Sequence, residues 1–255
     1  MNTTGKTWQA VVNRPYIKRI GHDALCFTQG LHIVGDYMYE SCGAPGGAVS
    51  RVRILRRKMA GAAYTGSAYT GSAYAGRAYA GSAYELVMEK SFDEFLEGLV
   101  VVGDYVYVLT WKAGFLYVLN KSTLDVVRKC YYEGEGWGLT HDGENFIMSN
   151  GSETLIYFQI EDGRENIVKK NILNIGVKNL NELEYVSGHI YANVWYKDEL
   201  LKIDESGSVV AKDFSWVRNY ESAGVLNGIA YDEQLKAFLI TGKNWKWIYV
   251  VVLMP

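Results

Sequence analysis

The sequence has no long apolar run, no marked charge of either sign and almost no proline, and each lack removes a class of protein. Across 255 residues no apolar stretch approaches the roughly 18–20 residues of a membrane-crossing helix, so no membrane partner is expected. Lysine and arginine total 26 against 28 aspartate and glutamate, a formal charge of −2. That balance gives no electrostatic ground for binding nucleic acid or an anionic lipid surface. Three prolines and 49% apolar residues do not match a disordered or collagen-like chain. The four histidines, His22, His32, His141 and His189, share no metal-ligand spacing, so a zinc site is not expected. There is no Gly-rich phosphate loop and no Gly-x-Ser-x-Gly nucleophile elbow. Cysteine is scarce: Cys26, Cys42 and Cys130 are odd in number, which argues for reduced thiols in a cytosol-like compartment rather than a disulfide framework. The amino terminus shows no apolar leader segment, which also favours the cytoplasm.

What the chain has in quantity is aromatic side chains, with 20 tyrosines and seven tryptophans. These suit strands, and they also suit sites with aromatic walls. Five segments share one pattern: a small or polar residue, Gly-Leu or its equivalent, a short turn, then an alternating aromatic/apolar strand. They begin at Gln29, Glu97, Trp137, Glu182 and Asn227, at intervals of 68, 40, 45 and 45 residues. Each unit continues into a third strand, such as GFLYVLN, and a fourth, such as DVVRKCYY. Period-two alternation broken by turn residues marks antiparallel strands, and four-stranded units repeated radially make a propeller. The expected fold is therefore all-β, a five-bladed β-propeller spanning 1–255 as one domain. The fifth unit stops after three strands, and the run Thr7–Tyr16 is expected to supply the fourth and close the ring.

The first interval is long because residues 60–84 repeat Gly-x-Ala-Tyr at a period of five, which fits neither a helix stripe nor a strand face. This insertion falls between the third and fourth strands of blade one, so it should lie on the face away from any pocket at the blade mouths. Nothing in the repeat itself assigns it a role.

In a propeller the first strand of each blade lines the central channel, so the five segment starts converge. Polar groups gathered near one axis need partners, and they commonly serve a ligand. The second strands end at the same mouth and bring Trp111, Trp195 and, just beyond AFLIT, Lys243. One tryptophan is ordinarily blade packing; three around polar groups argue for a binding site. Either Glu97 or Glu182 could be the reactive carboxylate. The channel leaves room for a structural metal ion, although nothing here requires a cofactor.

At these residues the chain resembles the plant and bacterial type of glutaminyl-peptide cyclotransferase. The likeness runs through HDALCFTQGL, LEGL, LTW, EGWGLTHDG, SNGSETL, LNELEYVSGHIYANVWYKDEL and LNGIAYD to TGKNW, nearly the whole chain outside the first residues and the tyrosine repeat. It implies a five-bladed propeller that converts N-terminal glutamine of peptides or proteins to pyroglutamate with release of ammonia; a monomer is expected. It implies Glu97, in Leu96-Glu97-Gly98-Leu99, as general acid/base. It implies a pocket of Phe27, Gln29, Trp111, Trp137, Asn181, Trp195 and Lys243. Leu96 stands where the family has glycine, and Asn150 where it has aspartate. The resemblance also points to the secretory compartment, against the missing leader. The alternative reading is a propeller that binds a peptide or protein partner without catalysis; a metal-dependent lactonase is a more distant rival.

Overall fold

The computed structural model describes residues 16, 18–47, 49–58 and 83–253. Five four-stranded antiparallel sheets are arranged as a propeller. Blade one is β2 (Phe27–Val34), β3 (Tyr37–Gly43), β4 (Ser50–Arg57) and β5 (Tyr84–Phe92). Blade two is β6 (Leu96–Val102), β7 (Tyr105–Thr110), β8 (Phe115–Asn120) and β9 (Val126–Tyr131). Blade three is β10 (Leu139–His141), β11 (Phe146–Met148), β12 (Thr154–Gln159) and β13 (Val168–Asn174). Blade four is β14 (Leu180–Val186), β15 (His189–Val194), β16 (Glu199–Ile203) and β17 (Val209–Asp213). Blade five is β18 (Leu226–Asp232), β19 (Ala237–Gly242) and β20 (Trp247–Val251), completed by β1 (Lys18–Gly21) on its outer edge.

The ring is thus closed by an N-terminal strand, but not by the one expected. Lys18 pairs with Val250 and Gly21 with Trp247. Of the run Thr7–Tyr16, all but Tyr16 lies outside the described residues, and Tyr16 precedes the strand, its ring against Trp216 and Tyr249. The sequence reading favoured an apolar run. The outer strands β13 and β17 are mostly exposed, so the polar KRIG has the character of an outer strand, with Ile20 alone buried.

Five apolar cores lie in the wedges between neighbouring blades. One joins Tyr39, Val52 and Phe92 of blade one to Leu99, Val108 and Phe115 of blade two. The last joins Leu31 and Met38 of blade one to Leu239 and Val250 of blade five. A middle strand such as β19 is consequently buried on both faces along its whole length, which is why its sequence runs apolar instead of alternating. The ends of β4 and β5 that flank the tyrosine repeat sit beside the β18–β19 turn, where Arg57 pairs with Asp232 and bonds Gln234. Except for Ala83 and Tyr84, the repeat lies outside the described residues.

Two cysteines are joined. Cys26 and Cys42 form a disulfide with Cα atoms 5.0 Å apart, so the expectation of three reduced thiols is overturned. An odd total does not exclude a pair once two strands bring it together: Cys26 directly precedes β2, and Cys42 lies on its partner β3. The remaining Cys130 is buried between blades two and three.

Candidate active site

Four of the innermost strands carry a bulge at the same level. Pairing slips between Thr28 and Gly30, Leu96 and Leu99, Leu180 and Leu183, and Leu226 and Ile229. A bulge bends the strand and re-aims its side chains. Here it lifts Gln29, Glu97 and Asn181 out of the alternation, and all three line one cavity. In blade three Trp137-Gly138 precedes the short β10, and Trp137 lines the same cavity. The bulge register corrects the expected equivalence of Glu182 with Glu97. Asn181 is the counterpart of Glu97, whereas Glu182 falls at the position of Gly98.

The position equivalent to Glu182 is glycine in the other four blades, in the bulge of three of them and just before β10 in blade three, for a steric reason. A Cβ at Gly30, Gly98 or Gly138 would meet the backbone of the next blade, and one at Gly228 would meet Thr241 and Thr28. Glu182 occupies this level in blade four and is fully buried. Its carboxylate accepts from the backbone N–H of Leu31 (3.2 Å) and Ile229 (2.8 Å), fastening blades one and five. It does not line the cavity. Asn227 is likewise occupied, its Nδ2 donating to Thr28 O at 2.9 Å and reaching Gln29 Oε1 at 3.3 Å.

The cavity measures about 740 Å³. Its wall holds all eight residues singled out above: Phe27, Gln29, Glu97 and Trp111, with Trp137, Asn181, Trp195 and Lys243. The backbone beneath the polar ones is tied across blades. Ser41 Oγ donates to Glu97 O and Ser149 Oγ to Asn181 O, both at 2.6 Å. Gln29 Nε2 donates to Glu97 Oε1 at 3.1 Å. Asn181 Oδ1 is buried with no hydrogen-bond partner among the described residues. Trp137 meets Trp195 edge-on at 5.4 Å, a packing that requires a bare Gly151, whose Cβ would strike the indole. Lys243 Nζ sits 4.8 Å from the centre of the Phe27 ring.

Glu97 is only 6% exposed. Burial pushes its carboxyl up, to about 8; Lys243 pulls it back and Glu135 pushes it further. Burial pushes the Lys243 ammonium below its usual range, with Glu97 opposing. A carboxyl raised by an apolar enclosure can hold or release a proton near neutral pH, which acid/base chemistry requires. Leu96, the departure beside Glu97, points away from the cavity and is fully buried in the core between blades one and two. Asn150, the other departure, accepts from Ser152 N (3.1 Å) and Ser152 Oγ (2.6 Å) in a tight turn.

A model of the glutamine cyclotransferase family matches residues 2–253. The chain belongs to the glutamine cyclotransferase family. The glutaminyl-peptide cyclotransferase of Arabidopsis thaliana is 29% identical over 252 residues, which span 91% of this chain and 68% of the relative. The crystal structure of Myxococcus xanthus glutaminyl cyclase matches with a TM-score of 0.74 at 27% identity, covering 92% of this chain and 94% of that one.

Three residues at the cavity of this family member went unnoticed in the sequence. Glu135 takes two of the three indole N–H groups of the cavity wall on one oxygen, from Trp111 Nε1 at 2.7 Å and Trp137 Nε1 at 2.9 Å. Lys112 caps the Trp111 face at 3.9 Å and lies 3.9 Å from Glu135 Oε1. The only available signal was a carboxylate two residues before Trp137, and its bond to Trp111 arises from blade packing. Tyr196 also lines the cavity, next in sequence to a tryptophan that was recognised.

His22 is placed as a structural group. His22 donates from Nδ1 to Trp245 O (2.8 Å), and its Nε2 lies 2.7 Å from Glu40 Oε1. Arg53 reaches Asp23 at 3.0 Å in the same buried cluster. His22, Cys26 and Glu40 offer ligand atoms within 4.8 Å of one another, but the Cys26 sulfur is bonded to Cys42.

Proposed function

We propose that the protein cyclises the N-terminal glutamine of peptides or proteins to pyroglutamate with release of ammonia. The observation that carries this reading is Glu97, a buried carboxyl held by Gln29 in a cavity that three tryptophans also line. The reaction joins the α-amine nitrogen to the side-chain amide carbon and breaks the bond from that carbon to the amide nitrogen. Both reactants belong to one residue, so the main demand is to hold the folded-back rotamer. Trp111, Trp137 and Trp195 supply a wall of that shape.

The Glu97 carboxylate removes one of the amine's own protons as its nitrogen bonds to carbon and turns cationic. The resulting carboxylic acid returns that proton to the amide nitrogen, ammonia leaves, and the carboxylate is restored. The lone acceptor Asn181 Oδ1 takes a substrate N–H, and Lys243 and Gln29 donate toward the carbonyl oxygen as it becomes an oxyanion. The net change needs no electron acceptor.

Glu97→Gln keeps the shape and removes the proton carrier. Turnover of a glutaminyl peptide, followed as ammonia released, is expected to fall by about 10²–10⁴-fold with an unchanged melting profile. A folded variant that retains most of its turnover removes Glu97 from this role. Wild-type protein that releases no ammonia while binding the peptide favours the non-catalytic reading.

A further inference from the structure

The polar groups of the cavity cluster at one depth: Gln29, Glu97, Asn181 and Lys243 are all buried. Yet the cavity of about 740 Å³ is on the scale of sites that enclose drug-sized ligands, well beyond one amino acid. Its remaining wall includes Ala44, Pro45, Asp93 and Tyr196, none of which the cyclisation step uses.

Tyr196 is unusual on two counts. It is 75% exposed, and its backbone is held at a φ of 64°, a left-handed conformation that a bulky side chain rarely adopts. The turn that follows β15, closed by Lys197 N donating to Val194 O at 2.9 Å, would be met with less strain by glycine or asparagine. Tyrosine instead lays its ring on Trp195, with centroids 4.5 Å apart and planes tilted by 35°. The aromatic wall is thereby extended outward by one ring. Strained backbone that presents a side chain to a cavity is a mark of binding sites. Asp93, between β5 of blade one and β6 of blade two, brings a carboxylate to the same cavity and has no ion-pair partner among the described residues.

We infer that the outer part of the cavity is a subsite for the residue following the N-terminal glutamine, and that Tyr196 and Asp93 select a flat side chain there, arginine above all. A flat group stacks on the Tyr196 ring, and a guanidinium adds attraction to both the ring face and the Asp93 charge. A glutamate at that position meets Asp93 as a like charge. This inference rests on the cyclotransferase reading and names the substrates that the same site prefers.

The test compares kcat/KM for the amides Gln-Ala, Gln-Phe, Gln-Arg and Gln-Glu in wild type, Tyr196→Ala, Tyr196→Phe and Asp93→Asn. Wild type should favour Phe over Ala by roughly two- to tenfold. Tyr196→Ala should bring that ratio close to one, and Tyr196→Phe should keep it. The Arg-to-Glu ratio should exceed the Phe-to-Ala ratio at low ionic strength, shrink with salt and shrink in Asp93→Asn. The same ratios read as Kd by calorimetry on Glu97→Gln decide the subsite even if turnover is absent, which separates its failure from failure of the catalytic reading. A wild-type protein indifferent to the second residue overturns the inference. So does a Tyr196→Ala variant that weakens every peptide by one common factor, since that is the signature of mere support for Trp195.

Discussion

Glu97 in blade two and Glu182 in blade four are both buried carboxylates at the bulge of an innermost strand, one bulge position apart. Burial raises both: Glu97 to about 8 and Glu182 well above the usual range. Their surroundings differ in kind. Glu182 is spent on two backbone N–H groups from other blades, whereas Glu97 has one neutral amide partner, a nearby lysine and an open cavity. Depth and titration alone therefore do not mark a reactive carboxylate. What separates the two is whether the oxygens still have capacity to exchange a proton with something from outside.

The largest effect that could break this contrast is on turnover. Glu97→Gln should lose at least about a hundredfold in kcat, whereas Glu182→Gln should keep most of the turnover per folded molecule; equal losses would erase the distinction. The next effect is on stability and runs the other way. Glu182→Gln turns an NH₂ toward a backbone N–H that needs an acceptor, and should cost about 1–3 kcal/mol in denaturant unfolding. Glu97→Gln should cost less. The smallest effect sharpens the account of Glu97 itself. Lys243 lowers its carboxyl and Glu135 raises it, so Lys243→Met should move the rising acidic limb of kcat/KM to higher pH and Glu135→Gln should move it to lower pH. Two shifts in the same direction would show that these charges do not reach Glu97.

Much of the architecture was legible because a propeller writes its period into the chain: blades recur every 40–45 residues, and the start of each innermost strand can be read by eye. The cavity wall was legible for the same reason, since those starts and the ends of the second strands meet at one mouth. Legibility ended where geometry depends on a neighbouring blade. The bulge moved the blade-four equivalence from Glu182 to Asn181, a one-residue slip that no alternation pattern records. Glu135 joins two indoles that are 26 positions apart in sequence. The Cys26–Cys42 bond hid behind an odd total, and the closing strand hid because an outer strand is polar where an apolar one was sought.

The glycines at the level of the bulges carry a consequence for how this molecule could change. At Gly30, Gly98 and Gly138 a single added methyl group would run into main chain, not into a side chain that can swing aside. The spacing of the blades around the axis is therefore set by the thickness of the polypeptide itself. Blade spacing beneath the cavity is thus closed to change at these three positions, and drift in the peptides accepted falls to the side chains that line the cavity, Tyr196 and Asp93 on its outer part among them.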